Sequence, residues 1–249
     1  MEAALAATRS ESPQDAFWER AGRAGYSATL FRSARVARHV LAKQWRVALD
    51  IAGRLGLDAS ASVLELGCGD GEFAVEVLAR HYRHVVALEK SPTAVERARA
   101  RPGGGNVRFN VADVVAHEYE AGERWDGAFL IGFLHHVKWG TPVVVERLAR
   151  VAPRVVVMEP NGNNPMRKLL ERLPSYREGG EESFRLAELV GIFARAGYRL
   201  RERATINLFP PFTPDALFPV VRGIERLVEA TPALYGLCSS HVLGFAAER

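Results

Sequence analysis

The segment VLELGCGDGEF, residues 63–73, combines three glycines with three acids directly behind a short apolar run. Gly67, Gly69 and Gly71 stand where a strand should pass into a helix. Glycine is entropically costly in regular structure, so this clustering indicates that something lies close against the backbone. A glycine-rich turn after the first strand of a parallel sheet is where such folds bind nucleotide-like ligands. The segment therefore predicts a ligand site.

Two kinds of ligand compete for this turn. A dinucleotide site needs the spacing G-x-G-x-x-G, with a pyrophosphate at the helix N-terminus. The chain has G-x-G-x-G instead, and Asp70 and Glu72, on either side of the last glycine, would repel a pyrophosphate. The same carboxylates would attract a positively charged nucleoside. Spacing and charge therefore disfavour NAD, and with it an NAD-dependent oxidoreductase.

Two further acids follow later apolar runs. Glu89 ends the second apolar run of the chain, residues 84–89, where a carboxylate can accept hydrogen bonds from both ribose hydroxyls. Asp113 comes just after the third run and could accept a hydrogen bond from an exocyclic adenine amine. Either acid alone would be a surface residue or a helix cap. Together with the glycine turn, in order along the chain, they favour a nucleoside site.

The elements that must position these residues alternate between strand and helix patterns. Seven segments are predicted to be strands, at 62–67, 84–89, 106–111, 125–133, 154–159, 198–209 and 239–248. Several of them contain runs of Val, Leu and Ile without polar alternation, so we expect strands that are covered on both faces, as in a parallel sheet with helices on both sides.

The segments ELGCGDGEF, ALEKS, VADV and WDGAFLIGFLHHV resemble the successive motifs of class I S-adenosylmethionine-dependent methyltransferases of the small-molecule type. The resemblance covers about residues 60–160, and the strand–helix order extends it to the C-terminus. It implies an α/β, Rossmann-like fold with a seven-stranded, mostly parallel sheet, an antiparallel last strand and helices on both faces.

The chain is expected to have three parts. Residues 1–13 are small and polar and are predicted to be disordered, and residues 14–58 have a helical pattern that resembles the N-terminal lid of small-molecule relatives. Residues 59–249 would form the methyltransferase domain, with cap insertions at about 160–181 and 209–239.

The resemblance implies that the cofactor is S-adenosyl-L-methionine, whose sulfonium tolerates acidic company. The glycine loop would cradle its methionine part, Glu89 would bind the ribose, and Lys90 and Asp113 would flank the adenine. The implied cofactor-binding residues are Glu65, Gly67, Cys68, Gly69, Gly71, Glu89, Lys90, Asp113, Ile131, Gly132 and Tyr26.

Methyl transfer needs a base only where the nucleophile arrives protonated. His136, after the fourth strand, and Glu159, at the end of the fifth, are the candidate catalytic residues. His135 is ranked below His136, because neighbours on a helix or turn point apart. The alternatives are a structural or cofactor-side role for the histidines and a turn-shaping role for Glu159.

The predicted substrate-binding residues are Phe133, Asn161, Arg32, His39 and Phe212. Each has an ordinary alternative, since aromatic side chains more often pack, arginines are often solvated, and asparagine also shapes turns. No metal is expected, because the chain lacks the carboxylate cluster of the metal-dependent, catechol-type relatives.

These residues favour methyl transfer to an O or N atom of a small organic molecule, in specialised metabolism such as natural product biosynthesis. The enclosing additions suggest a capped pocket. Relatives that methylate adenine or glutamine amino groups typically carry N/D-P-P-Y/F after the fourth strand, where this chain has IGFLHH. Two alternatives stay open: a protein or RNA methyltransferase that docks through the basic N-terminal helix, and a non-catalytic cofactor-binding partner subunit.

The composition, 48% hydrophobic and 25% charged in 249 residues, is typical of a globular protein with a sizeable core. Its two cysteines predict neither a disulfide framework nor a C-x-x-C metal site. The N-terminus lacks a signal-peptide pattern, and the longest apolar run, 127–134, is too short to span a bilayer. We expect a cytoplasmic protein without membrane or nucleic-acid partners, with the oligomeric state open and a homodimer as one option.

Overall fold

A computed structural model describes residues 31–178 and 180–248 and contains one seven-stranded sheet. The strands are β1 Ser62–Leu66, β2 His84–Glu89, β3 Val107–Val111, β4 Gly127–Ile131, β5 Arg154–Pro160, β6 Tyr198–Ile206 and β7 Ser240–Ala247. Their order is β3-β2-β1-β4-β5-β7-β6, and β7 runs antiparallel between β5 and β6 while the other six share one direction. The predicted sheet is confirmed.

Eight helices accompany the sheet in the described part of the chain. They are α1 Ala34–Arg54, α2 Ala79–His81, α3 Pro92–Ala100, α4 Thr141–Ala149, α5 Pro165–Leu170, α6 Pro174–Glu178, α7 Leu186–Arg195 and α8 Phe218–Ala230. A π-helical turn, Ala74–Leu78, leads into α2, and short 3₁₀ turns cover Leu134–His136, Lys138–Gly140, Asp215–Leu217 and Pro232–Leu237. None of these helices has the length and apolar content needed to cross a bilayer.

Side-chain caps fix where several helices begin. Ser33 accepts a hydrogen bond from the Val36 amide at the start of α1, and Ser91 does the same for the Ala94 amide at the start of α3. The register pairs Leu66 with Leu88 on the neighbouring strand, so the loops that follow β1 and β2 leave the sheet at the same edge.

The central strands of the sheet are covered on both faces, as their runs of apolar residues without polar alternation predict. On β4, Phe129 packs in a cluster with Ile51 of α1, while the adjacent Leu130 packs on the other face in a cluster with Leu148 of α4 and Phe193 of α7. This double burial explains why the central strands β4 and β5 carry few polar residues, whereas the edge strands β3 and β6 alternate.

The second half of helix α1 differs from the lid predicted over residues 14–58. Ala48, Ile51 and Ala52 are fully buried against the sheet, so this half of α1 is core. The preceding half packs Val36 and Val40 against the segment near α8. Residues 1–30 lie outside the described residues, and with them the predicted disorder of 1–13 and the predicted cofactor contact of Tyr26.

Candidate functional site

The glycine turn after β1 is tightly packed against the protein itself. Gly67 has a φ of +71°, and a Cβ there would lie 2.2 Å from Cδ2 of Phe133. Gly71 has a φ of +75°, and a Cβ there would lie 2.7 Å from the Cβ of Ala98. Both positions therefore require glycine before any ligand is considered. The glycines at 67 and 71, predicted from the sequence to make room for a ligand, also make room for Phe133 and Ala98.

The acids around this turn have different environments. Asp70 is buried and forms an ion pair with Arg101, with 2.9 Å between Oδ2 and Nη2. Glu89 accepts hydrogen bonds from the Gly69 amide at 3.0 Å and from the Ser91 amide at 2.9 Å. The charge of Asp70 is thus neutralised within the protein, whereas Glu89 ties the glycine turn to the end of β2.

Glu65 is the exception among these acids. Its side chain is buried on β1, and its Oε2 has no hydrogen-bond partner in the described part of the chain. Burial, with a smaller contribution from the charge of Glu89, raises the pKa of Glu65 to about 8. Such a group is completed by a ligand that brings a hydrogen-bond donor or a positive charge.

A cavity of about 1490 Å³ extends from this turn to the end of β5. Nine predicted cofactor residues line it: Glu65, Gly67, Cys68, Gly69, Glu89, Lys90, Asp113, Ile131 and Gly132. Gly71 lies behind the turn, against Ala98 and Phe109. The amide of Gly132 donates to the Met158 carbonyl at 2.7 Å, so this N–H is engaged in the protein.

Glu159 holds the loop that follows β4. Its buried carboxylate accepts hydrogen bonds from the amides of Phe133 at 3.0 Å and Leu134 at 2.7 Å. It also accepts one from the His135 amide at 3.2 Å and pairs with Nδ1 of the same residue at 2.7 Å. The expectation that Glu159 acts as a base is corrected here: these bonds engage both oxygens, and the residue positions the loop.

His135 lies between two carboxylates. Its Nδ1 faces Glu159, and its Nε2 is 3.5 Å from Oε2 of Glu181, which is also paired with Arg167. Burial alone would lower the pKa of His135, but the charge and hydrogen bond of Glu159, and then those of Glu181, raise it to about 9. His135 is therefore a positively charged imidazolium at neutral pH, with a proton on both ring nitrogens, and is not a base there.

His136 lines the cavity beside His135. The two ring centroids are only 3.8 Å apart, which corrects the expectation that these neighbours point apart. The tight 3₁₀ turn over Leu134–His136 brings them together. Ligand-type atoms of His135, His136 and Glu181 lie within 4.8 Å of one another. Glu181 comes from a distant insertion, so no local spacing in the sequence indicated this group.

Of the predicted substrate residues, Phe133 lines the cavity and four do not. Asn161 is fully buried and donates to the carbonyls of Tyr235 and Cys238. The side chain of His39 is bonded to Glu225 and packs on aromatic rings. Arg32 and Phe212 are exposed. These residues join or cover segments, and their side chains have no place in the cavity wall.

Much of the cavity wall is apolar, and most of its residues were not predicted from the sequence, which indicated Phe209 as apolar substrate surface and Phe31 as part of a lid. The apolar lining residues include Phe31, Trp45, Met158, Met166, Leu169, Leu170, Phe209, Val221, Ile224 and Leu237. They come from α1 and the segment before it, β5, α5, the segment before α8, α8 itself and the turn before β7. The apolar stripe of α8 was visible as a helical period, whereas α5 is too short for a period to be recognised.

Comparison with known proteins agrees with this geometry. A family model described as "Methyltransferase domain" matches residues 36–203. The rRNA methyltransferase RlmD of Pseudomonas entomophila, which acts on uracil C5 of 23S rRNA, is 32% identical over 161 residues, covering 63% of this chain and 30% of that protein. The O-methyltransferase resE of Aspergillus sclerotiorum is 27% identical over 110 residues, covering 43% and 41%. The chain thus matches less than half the length of either relative.

A solved structure shares the fold at low identity. Magnesium protoporphyrin IX methyltransferase from Synechocystis PCC 6803, solved with bound SAH, superposes with a TM-score of 0.57 at 14% identity. The superposition covers 86% of this chain and 85% of that chain.

Proposed function

The chain belongs to the methyltransferase-domain family. From this premise we propose that it is an S-adenosylmethionine-dependent methyltransferase, and that it methylates an O or N atom of a small organic molecule enclosed in the cavity. The observation that carries the proposal is the size of the cavity, about 1490 Å³. Pockets for one drug-sized ligand measure roughly 300–1,000 Å³, so cofactor and acceptor fit side by side.

The residues at the glycine-turn end fit this cofactor. Glu65, whose Oε2 has no hydrogen-bond partner among the described residues, would accept a hydrogen bond from the cofactor's ammonium group. Glu89, which accepts hydrogen bonds from the Gly69 and Ser91 amides, would also accept from the ribose hydroxyls, and Asp113 would accept from the adenine amine. When bound, the cofactor supplies an electrophilic methyl group on a sulfonium, and the protein's task is alignment and exclusion of water.

At the acceptor end, His136 is the proposed catalytic residue. His135 is held as an imidazolium and so is not a base at neutral pH, while the carboxylate of Glu159 is engaged in holding the loop after β4. An amine acceptor in its neutral form would need no base, and His136 would then orient it. The protein would position either acceptor between Phe133 and the apolar wall.

The alternative of RNA or protein docking through the basic N-terminal helix is weakened by where its charges go. Lys43 pairs with Glu225 and Glu229, and Arg54 pairs with Glu202. The guanidinium of Arg35 lies 4.3 Å from the centroid of the Phe218 ring. These cations are used within the protein, which reduces the charge available for a phosphate backbone.

The acceptor class is tested by labelled methyl transfer. The full chain is incubated with methyl-labelled cofactor and with a panel of multi-ring phenols and amines, total RNA, or a protein extract in separate reactions. Label in an organic-soluble product identified by mass supports the proposal. Label retained on RNA or on protein overturns the small-molecule assignment.

Two variants with one control locate the acceptor. Leu169→Trp places a larger side chain in the cavity wall and so narrows the cavity. We expect it to raise KM for the acceptor while the affinity for S-adenosylhomocysteine stays unchanged. Leu173→Trp, on an exposed residue outside the lining, is the matched control.

His136→Asn should lower kcat by about 100-fold or more if the acceptor is a hydroxyl, because that is the usual contribution of a general base. An unchanged kcat would leave alignment as its role.

A further inference from the structure

One part of the cavity wall contains two buried polar side chains among apolar ones. Gln44 of α1 and Ser240, the first residue of β7, both line the cavity, and they are exposed to only 7% and 5%. The Nε2 of Gln44 donates a hydrogen bond to the Ser240 hydroxyl at 3.1 Å. The wall beside them, on α1 and on the segment before α8, includes Val40, Leu208 and Phe209. Gln44 and Ser240 are here called the polar pair.

The polar pair has hydrogen-bonding capacity that the protein does not use. In the part of the chain that the structure describes, the bond between Gln44 and Ser240 is the only side-chain hydrogen bond that either residue makes. Asn164, another buried amide in the cavity wall, is fully engaged: its Nδ2 donates to two backbone carbonyls and its Oδ1 accepts from two backbone amides. In either orientation of the Gln44 amide, the polar pair keeps at least one donor and one acceptor for a ligand. Buried polar groups are nearly always hydrogen-bonded, so we expect a ligand group to complete this pair.

The ligand group at the polar pair should be uncharged. Among the described residues, none of the charged side chains that line the cavity belongs to α1, α8 or β7. Lys43, next to Gln44 in the sequence, pairs with Glu225 and Glu229 of α8. A carboxylate or an ammonium group would therefore lack a countercharge here, and burying it would be costly. A neutral hydroxyl fits, because it donates and accepts at the same time.

Strand geometry gives the distance from the polar pair to the methyl-transfer end. Ser240 pairs with Pro160 of β5, and Met158, two residues earlier on β5, pairs with Ile131 at the end of β4. β7 is thus the second neighbour of β4 at the same edge of the sheet. Neighbouring strands are about 4.8 Å apart, so the polar pair lies roughly 10 Å across the sheet from the end of β4. Met158 and Pro160 line the cavity between them, which makes the floor continuous.

We propose that the polar pair binds a neutral hydroxyl group at the far end of the acceptor. The acceptor is then an elongated, mostly apolar molecule, with its methylated atom at the loop after β4 and its bound hydroxyl roughly 10 Å away. A single six-membered ring is too short to reach both places, whereas two linked rings can. This inference rests on the proposed small-molecule function and adds the residues that select the length and the distal group of the acceptor.

The test compares two biphenyl probes on the full chain saturated with S-adenosylhomocysteine. One probe has a para hydroxyl on each ring, and the other has a para hydroxyl on one ring only. We expect the dihydroxy probe to bind about tenfold more tightly by calorimetry, because its second hydroxyl completes the polar pair. Gln44→Met and Ser240→Ala should each lower that ratio to about twofold, which the symmetry of the dihydroxy probe gives by itself.

The ratio of the two affinities separates recognition from a structural role. If the polar pair only joined α1 to β7, its loss would change the binding of both probes alike and leave the ratio unchanged. Thr205→Val is the matched control, because it removes a buried side-chain hydrogen bond of the same length, 3.1 Å, to His241. That bond joins β6 to β7 outside the cavity lining, so the variant should keep the wild-type ratio.

Affinity for S-adenosylhomocysteine verifies that each variant is folded, and it distinguishes failure of the proposed function from failure of the polar pair. A wild-type protein that does not bind S-adenosylhomocysteine would contradict the proposed function. A protein that binds S-adenosylhomocysteine but binds neither probe, or binds both within about twofold, would overturn only the role of the polar pair. A ratio that Gln44→Met and Ser240→Ala leave unchanged would overturn it as well.

Discussion

The two ends of the cavity are built in different ways. The cofactor end uses backbone turns and acids at the ends of successive strands, all within residues 62–113. The acceptor end gathers side chains from the loop after β4, from the insertion after β5 and from α8. The first is local in sequence, whereas the second exists only once distant segments have packed.

Their charges differ in the same way. At the cofactor end Glu65 is buried, and one of its oxygens has no partner among the residues that the structure describes, so we expect the ligand to supply that partner. At the acceptor end, His135 is paired with Glu159, and Glu181 is paired with Arg167. We infer that changes at the cofactor end alter ligand affinity, while changes at the acceptor end first alter stability and loop position.

The largest effect should come from Glu159→Ala. Removing one partner of a buried ion pair costs about 3–5 kcal/mol, and this change also removes the acceptor of three loop amides. We expect a fall of that size in the free energy of unfolding, measured by urea denaturation. The control, Glu146→Ala, breaks an exposed pair with Arg150, which is worth roughly 0–1 kcal/mol.

The pH dependence gives this test a second readout. The pKa of His135 is raised from 6.5 to about 9 in the folded protein, so its stabilising contribution is fully present below pH 6.5 and is lost as the pH rises through 9. Glu159→Gln should reduce that alkaline loss. A Glu159→Ala variant as stable as the Glu146→Ala control would remove the distinction between the two ends.

A smaller effect is expected from the strand-end acids. Glu89→Ala and Asp113→Ala should each weaken binding of S-adenosylhomocysteine by about 1–3 kcal/mol, the usual worth of hydrogen bonds to charged groups. Glu96→Ala, an exposed acid on α3, is the control and should bind normally. Calorimetry measures all three. Unchanged affinity in both variants would remove the roles proposed for these acids.

This contrast also explains how far the sequence could be read. The sheet and the acids at its edge were predictable, because strand patterns and strand-end positions are local signals: Glu89 follows directly from the run HVVALE. The role of Glu159 was not, because a carboxylate at a strand end reads as a base until the amides of Phe133 and Leu134 are seen to meet it.

The insertions show the same limit. Glu181 reaches His135 from a segment without a periodic pattern, and Asn161 turns out to bond carbonyls in the segment before β7. Packing between segments distant in sequence decides both positions. At the glycine turn, Arg101 neutralises the charge of Asp70, so this acid contributes less attraction for a cationic ligand than the sequence predicts.

A third prediction sharpens the contrast through pH. In the free protein the pKa of Glu65 is raised to about 8, and a cationic ligand favours the ionised carboxylate, so binding should release a proton. Affinity for the cofactor should therefore rise with pH up to about 8. The total rise is about tenfold for each unit by which the bound ligand lowers the pKa of Glu65. Calorimetry in buffers of different ionisation enthalpy counts the released proton.

Glu65→Gln is the control for this experiment, because it keeps a hydrogen-bond acceptor and abolishes the titration. The ligand's own amine titrates identically in both proteins, so the difference between them isolates Glu65. The same proton release in wild type and variant would show that this carboxylate does not meet the ligand's positive charge.

The smallest effect is expected from metal removal at the acceptor end. Metal-ligand atoms lie within 4.8 Å of one another on His135, His136 and Glu181, which is close enough for them to bind one metal ion. Their charges are already balanced, however, since Glu181 is paired with Arg167 and Nδ1 of His135 with Glu159. A divalent ion would have to displace the Arg167 guanidinium and take the imidazole of His135 in its neutral form. We expect treatment with a chelator to leave the S-adenosylhomocysteine affinity and the methyl-transfer rate within about twofold of the untreated protein. Elemental analysis that finds stoichiometric zinc or manganese, lost in His136→Ala, would show instead that the acceptor end, like the cofactor end, is completed by a ligand.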